Sequence, residues 1–366
     1  MITLACYVSG HGFGHAVRVI EVLRALRARA PTVHVAIRTP VPCWFFELGL
    51  GGDFAWETAS LDVGAVQSDS LNLDPEATLR AYADIIARKR ALIGTELTAM
   101  ATLQPQLIVA DIPGLAFDVA AQLGVPAVAM TNFSWDWIYA DYVRDWPAYA
   151  HVVADLRASY AKATLLLRLP LHGDLTAFPS IRDIPLVARI ATLDRDLVRQ
   201  RLALPRADRL VLLSFGGIGI ALSSVPAPPR GVTFVATQSA SAVTTPPRGC
   251  RFVSNHELAA AGVRYEDLVA ACDAVLTKPG YGIVADCLAN ATPIIYTSRG
   301  RFAEYAYLVD GITAHLPHAF LSNEDLYAGR WAAALDAVLA QPRRAPDIAT
   351  NGAAVAAGIL LQMLRA

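Results

Sequence analysis

Residues 2–24, ITLACYVSGHGFGHAVRVIEVLR, run an apolar segment into a turn of three glycines and two histidines, then into a segment of helical period. Val19, Ile20, Leu23 and Leu26 fall on one stripe of that helix, so the stretch reads as strand, tight turn, helix: the opening of a βαβ unit. The same grammar recurs downstream. VHVAIRT, LIVAD, AVAMTNF and TLLLRLP are further strand candidates, and Asp74 with Pro75 caps a helix expected to reach about Leu103. Short apolar strands separated by helices predict an α/β protein built on parallel sheets buried on both faces.

A proline-marked stretch, LPLHGDLTAFPSIRDIPLVARI at 169–190, breaks the period. The pattern then restarts with RLVLLSFGGIG, VTFVATQ, CRFVSN, AVLTKPGYG and PIIYTS. With 366 residues the chain exceeds what one core usually holds. The expected organisation is therefore a Rossmann-like domain at 1–178, a linker at 179–190, a second Rossmann-like domain at 191–345, and a helix at 346–366 packing back toward the first domain. Ligands of such sheets bind at the carboxyl ends of the strands, which points to a cleft between the domains.

Bulk composition narrows the function classes. Apolar residues make up 54% and charged residues 17%, with a formal net charge of −1, which offers no long-range attraction for nucleic acid or an anionic membrane. The five cysteines, Cys6, Cys43, Cys250, Cys272 and Cys287, show no CxxC spacing and read as reduced thiols of a cytoplasmic protein. The start of the chain lacks the basic and long apolar regions of a secretion signal, and no apolar run is long enough for a transmembrane segment.

The opening turn admits three readings. As a dinucleotide fingerprint it fails, because the third glycine of GxGxxG is replaced by His15 and the second strand ends in Arg38 rather than an acidic residue. As a metal site it lacks the glutamate of HExxH, and its glycines oppose a helix presenting both rings; no metal is expected. The third reading puts His15 in the first turn of a helix, whose positive end favours a neutral imidazole able to accept a proton. Asp111, at the end of LIVAD, is the candidate carboxylate to orient it, or else a capping aspartate.

In the second half a strand ends in Pro279, Gly280, Tyr281 and Gly282 and a helix begins at once. Its free backbone N–H groups suit a diphosphate. Asp286, one turn inside, is placed for ribose hydroxyls, and Arg299, Arg301 and Glu304 for phosphate and sugar; Gly216 and Gly217 add a second glycine turn. The aromatic stretch TNFSWDWIYADYVRDW at 131–146 serves either as core or as an acceptor surface. Asp194–Asp196, DRD, reads as a helix cap.

In Lys278–Tyr305 and in the Gly14–His15 turn the chain resembles the GT-B nucleotide-sugar glycosyltransferases, notably the N-acetylglucosaminyltransferases of peptidoglycan synthesis. GHGFGHA and TNFSWD also resemble the glycosyltransferase-like N-terminal region of plant L-arabinokinases. The resemblance implies two Rossmann-like domains facing across a cleft and an inverting, metal-independent transfer from a UDP- or dTDP-sugar to an unknown small-molecule acceptor, or hydrolysis of the donor, or binding without catalysis. No cofactor is implied beyond the nucleoside diphosphate sugar as co-substrate. It further implies His15 as base with Asp111, base contacts around Phe252–Leu258, donor contacts from Gly216, Gly217, Gly280, Tyr281, Gly282, Asp286, Arg301, Glu304 and Tyr305, and acceptor contacts from His11, Gly12, Phe13, Asn132, Trp135 and Asp136.

Overall fold

The computed structural model describes residues 2–68, 71–216, 225–237 and 250–365. Two parallel sheets organise it. The first contains β1 (Thr3–Val8), β2 (His34–Arg38), β3 (Ala55–Glu57), β4 (Leu107–Asp111), β5 (Ala127–Thr131), β6 (Leu165–Arg168) and β7 (Ile181–Asp183), in the order β3-β2-β1-β4-β5-β6-β7. The second contains β8 (Arg209–Leu213), β9 (Val232–Thr237), β10 (Cys250–Val253), β11 (Ala274–Thr277), β12 (Ile294–Tyr296) and β13 (His318–Phe320), in the order β10-β9-β8-β11-β12-β13.

The central strands β1, β4, β5 and β11 are buried along their whole length, as continuous apolar runs between two helical layers must be. Two clusters flank the first sheet, one beneath the Gly14–Arg29 helix, the other holding Trp135, Tyr139, Tyr142 and Tyr160. The aromatic stretch is thus mainly core: Trp135, Tyr139 and Tyr142 are at most 1% exposed.

The long helix expected after Asp74 is two helices, Pro75–Ala87 and Lys89–Leu103, broken at Arg88. Lys89 is held there by Asp155 Oδ1 at 2.9 Å and Asp118 Oδ2 at 3.0 Å, and the second helix leaves to pack on Leu115–Leu123. Asp74 caps the first, accepting from the Ala77 N–H at 2.9 Å, and Asp194 likewise caps Arg195–Arg201, accepting from Asp196 at 2.8 Å. The first sheet runs to Asp183, so β7 occupies part of the stretch read as linker. The final helix, Gly352–Arg365, lies on Gly14–Arg29 of the first domain. Among the described residues no helix is long and apolar enough to cross a membrane.

Candidate active site

Strand order decides where chemistry can sit. β1 pairs with β4, Val8 opposite Asp111, and the chain leaves this pair toward opposite edges of the sheet. A crevice therefore opens at their carboxyl ends. The second sheet repeats this at β8 and β11, placing the turns after Leu213 and Thr277 side by side.

His15, in the first turn of Gly14–Arg29, sets Nδ1 2.9 Å from Asp111 Oδ1; the pair is 5% and 0% exposed. An ionised carboxylate only accepts, so the Nδ1–H of His15 donates to Asp111, and in the neutral ring this tautomer leaves the lone pair on Nε2. Arg18, three residues on and on the same helix face, joins them. Its Nε and Nη2 both donate to Asp111, Nη2 to Oδ1 at 2.5 Å, and its Nη1 donates to Asn132 Oδ1 at 2.8 Å. Burial alone pushes the Asp111 carboxyl up, but the Arg18 guanidinium and then His15 outweigh it and hold the group below the usual carboxylate range.

Asn132 carries the network across the cleft. Its Nδ2 donates to Glu304 Oε1 at 2.8 Å, and Glu304 Oε2 accepts from Arg299 Nη1 at 2.7 Å. The Arg299 guanidinium sits 3.9 Å over the Phe302 ring. Arg18 sits over the ring of Tyr281, 5.0 Å from its centroid. The two glycine-led helices meet here, since a Cβ built on Gly282 would lie 3.3 Å from Gly14 Cα. A side chain at 282 would crowd that approach, whereas a Cβ on Gly14 would stand 3.7 Å from Gly282 N, an ordinary contact.

No protein-family profile matches the chain. Solved structures do resemble it along its whole length. The spinosyn rhamnosyltransferase SpnG complexed with thymidine diphosphate superposes with a TM-score of 0.62 at 15% identity, covering 100% of this chain and 96% of that one. The glycosyltransferase SnogD from Streptomyces nogalater gives 0.58 at 17%, with the same coverage. The fold is GT-B. By sequence, the L-arabinokinase of Arabidopsis thaliana is 33% identical over 366 residues, 98% of this chain, and the chain spans about a third of that protein's length, 34%.

Within this GT-B cleft the sequence-predicted residues separate. His15, Asp111, Asn132, Tyr281 and Glu304 converge on one cluster. His11 joins it, stacked on Phe302 with centroids 6.1 Å apart, and its Nδ1 accepts from the Ala65 N–H at 3.2 Å. Burial, then the Arg299 charge, hold that imidazole well below its ordinary value, so it stays neutral. Gly12 makes the turn at φ +75°, while Phe13 is half-buried against the core and stacks on Phe45 at 4.4 Å. Gly280 caps the Tyr281–Ala289 helix. Gly216 ends the described part of its turn at φ +76°, and Gly217 lies outside the described residues. Tyr305 is half-buried, its N–H bonded to Phe302 O at 2.9 Å.

Four residues take other partners. Asp286 is 0% exposed and clamps the linker: Oδ1 accepts from the Arg189 backbone N–H at 3.2 Å and Oδ2 from its Nε at 3.1 Å. A carboxylate so engaged is not presented to a ribose. Arg301 is engaged by the first domain, donating to Asp141 Oδ2 at 2.5 Å and to Asp145 rather than reaching the Glu304 cluster. Trp135 donates from Nε1 to Asp62 Oδ2 at 2.9 Å from a fully buried position, and Asp136 accepts from Ser134 Oγ at 2.5 Å and Arg157 Nε at 3.1 Å. Neither presents itself to an acceptor.

Sequence reasoning missed Arg18 and Asp62. Arg18 left a signal, a lone charge one turn after His15 inside an apolar run. Asp62, in the loop SLDVGAVQ, left none. It is partly exposed and bonded to Ser9 and Trp135; burial raises its carboxyl despite those bonds and the nearby His15.

The linker clamp gives a direct test of the Asp286 reassignment. Asp286→Ala is expected to lower Tm by several degrees, because it takes from the partly buried Arg189 its nearest carboxylate and leaves only Glu266 at 3.8 Å, while leaving nucleotide affinity within a few-fold. Unchanged Tm with lost nucleotide binding in calorimetry would return Asp286 to the ribose.

Proposed function

We propose that the chain transfers a sugar from a UDP- or dTDP-sugar to an acceptor hydroxyl, with inversion and without a metal. The His15–Asp111 pair facing the N-terminus of the Tyr281–Ala289 helix across the cleft carries this reading. His15 Nε2 takes the hydroxyl proton as the acceptor oxygen bonds to the anomeric carbon. The bond from that carbon to the diphosphate breaks, and its electron pair leaves with the diphosphate onto the free N–H groups of Tyr281 and Gly282. Asp111 fixes the imidazole tautomer. The bound nucleotides named for the glycosyltransferase neighbours support a nucleoside diphosphate as ligand.

One observation favours a second reading. Arg18 already neutralises Asp111, so the imidazolium formed on proton transfer gains less from that carboxylate than in an unshared pair. A nucleotide-sugar-binding module that does not turn over would carry the same cleft. A thermal-shift series with UDP, dTDP and UDP-glucose, followed by product analysis, separates the readings. A rise in Tm of several degrees at saturating ligand is expected, since such ligands bind only the folded state. Sugar transferred to an acceptor supports the transferase; binding without turnover across a broad acceptor panel supports the module; free sugar from donor alone shows hydrolysis. No shift with any nucleotide overturns all three.

A further inference from the structure

The cluster at the domain junction is lopsided in its hydrogen bonding. Its carboxylates are committed: Asp111 to Arg18 and His15, Glu304 to Arg299 and Asn132, Asp62 to Ser9 and Trp135. Two donors beside them are not. The Tyr281 hydroxyl and the Arg299 Nε–H each lie in a residue 6% exposed and have no hydrogen-bond partner among the described residues. Both border Glu304, which pairs directly with Arg299 and interacts electrostatically with the Tyr281 hydroxyl.

Burying a donor without a partner costs stability, and Arg Nε can only donate. Two such groups in one junction, at the mouth of a helix N-terminus, are the imprint of a ligand that brings acceptor oxygens. We infer that an oxyanion of the substrate, either the sugar-proximal phosphate of the donor or a carboxylate on its sugar, binds between the Tyr281 hydroxyl and Arg299 Nε. This inference rests on the nucleotide-sugar reading above and adds to it the side chains that grip the anion. Neutral sugar hydroxyls are the weaker match, because Arg299 Nε–H is a charged donor and charge-assisted hydrogen bonds to an oxyanion are the stronger ones.

Tyr281→Phe removes only the unpartnered oxygen. The free variant is expected to melt at the parent temperature or higher, since it relieves a buried unpaired group. Its affinity for the oxyanion-bearing ligand is expected to fall about tenfold or more, as for a hydrogen bond to a charged group. Isothermal calorimetry with UMP, UDP, UDP-glucose and UDP-glucuronate, repeated with the dTDP series, locates the anion. A loss first seen with UDP marks the phosphate; a loss confined to UDP-glucuronate marks a sugar carboxylate. Parent-like affinity of Tyr281→Phe for every compound overturns the inference and leaves the transferase reading standing. A parent protein that binds none of them overturns both.

Discussion

Replacing His15 with alanine is expected to lower sugar transfer by about a hundredfold or more, the usual worth of a positioned general base, with donor affinity nearly unchanged. The two effects separate because the proposed pyrophosphate seat is backbone of the second domain, whereas His15 belongs to the first. The fold should tolerate the change. Asp111 keeps its Arg18 fork after the ring is gone, so no buried charge is stranded. Steady-state kinetics with calorimetric donor binding are the check. Unchanged turnover would remove His15 from the chemistry and move attention to Asp62, whose carboxyl burial raises beside the same ring.

Asp111→Asn is expected to produce the largest loss of stability. Arg18 is 2% exposed, and without the carboxylate its charge is buried unpaired, a change that typically costs about 3–5 kcal/mol. Tm should fall on the order of ten degrees. The pH dependence follows from the sign of the shift. Asp111 is depressed in the folded state, so its contribution is complete above the unfolded carboxylate value of about 3.9 and is lost as pH falls from there through its folded value. Denaturation at pH 7 and pH 3 should therefore show the gap between parent and variant narrowing in acid. A gap equal at both pH values would mean that the carboxylate charge is not what stabilises this junction. Adding Arg18→Met to the variant should recover part of the loss, since the stranded charge is then gone.

The sequence made the architecture readable where periodicity changed abruptly, as at Val8 to His15, where a continuous apolar run gives way through glycines to a helical period. It hid β3, β7 and β13, because edge strands of three residues, mostly half-exposed or exposed, are too short to show an alternation. The His15–Asp111 pair was readable in its members but not in its contact, which depends on β1 and β4 being neighbours, and strand order is a tertiary property. Asp286 shows the opposite failure. Its distance from the helix start was clear, yet which way a side chain faces depends on what packs against the helix, and there Arg189 of the linker claimed it. Arg301 failed likewise: a loop arginine near a cleft finds whichever carboxylates lie closest, and Asp141 and Asp145 were on the far side.

The chain crosses between the domains twice, once along Ile184–Ile190 and once just ahead of the Gly352–Arg365 helix, and the two crossings are stitched together. Leu186 N–H donates to Ala349 O at 2.9 Å and Gly352 N–H to Leu186 O at 3.1 Å, so tightly that a Cβ on Gly352 would stand 2.0 Å from Pro185 O. Paired threads at one edge act as a door hinge does: they leave a single axis of swing and resist twisting or sliding. Any gape of the protein must then also part the pairs of Arg301 with Asp141 and Asp145, which join the two domains, and substrates would enter and products depart by unfastening that latch.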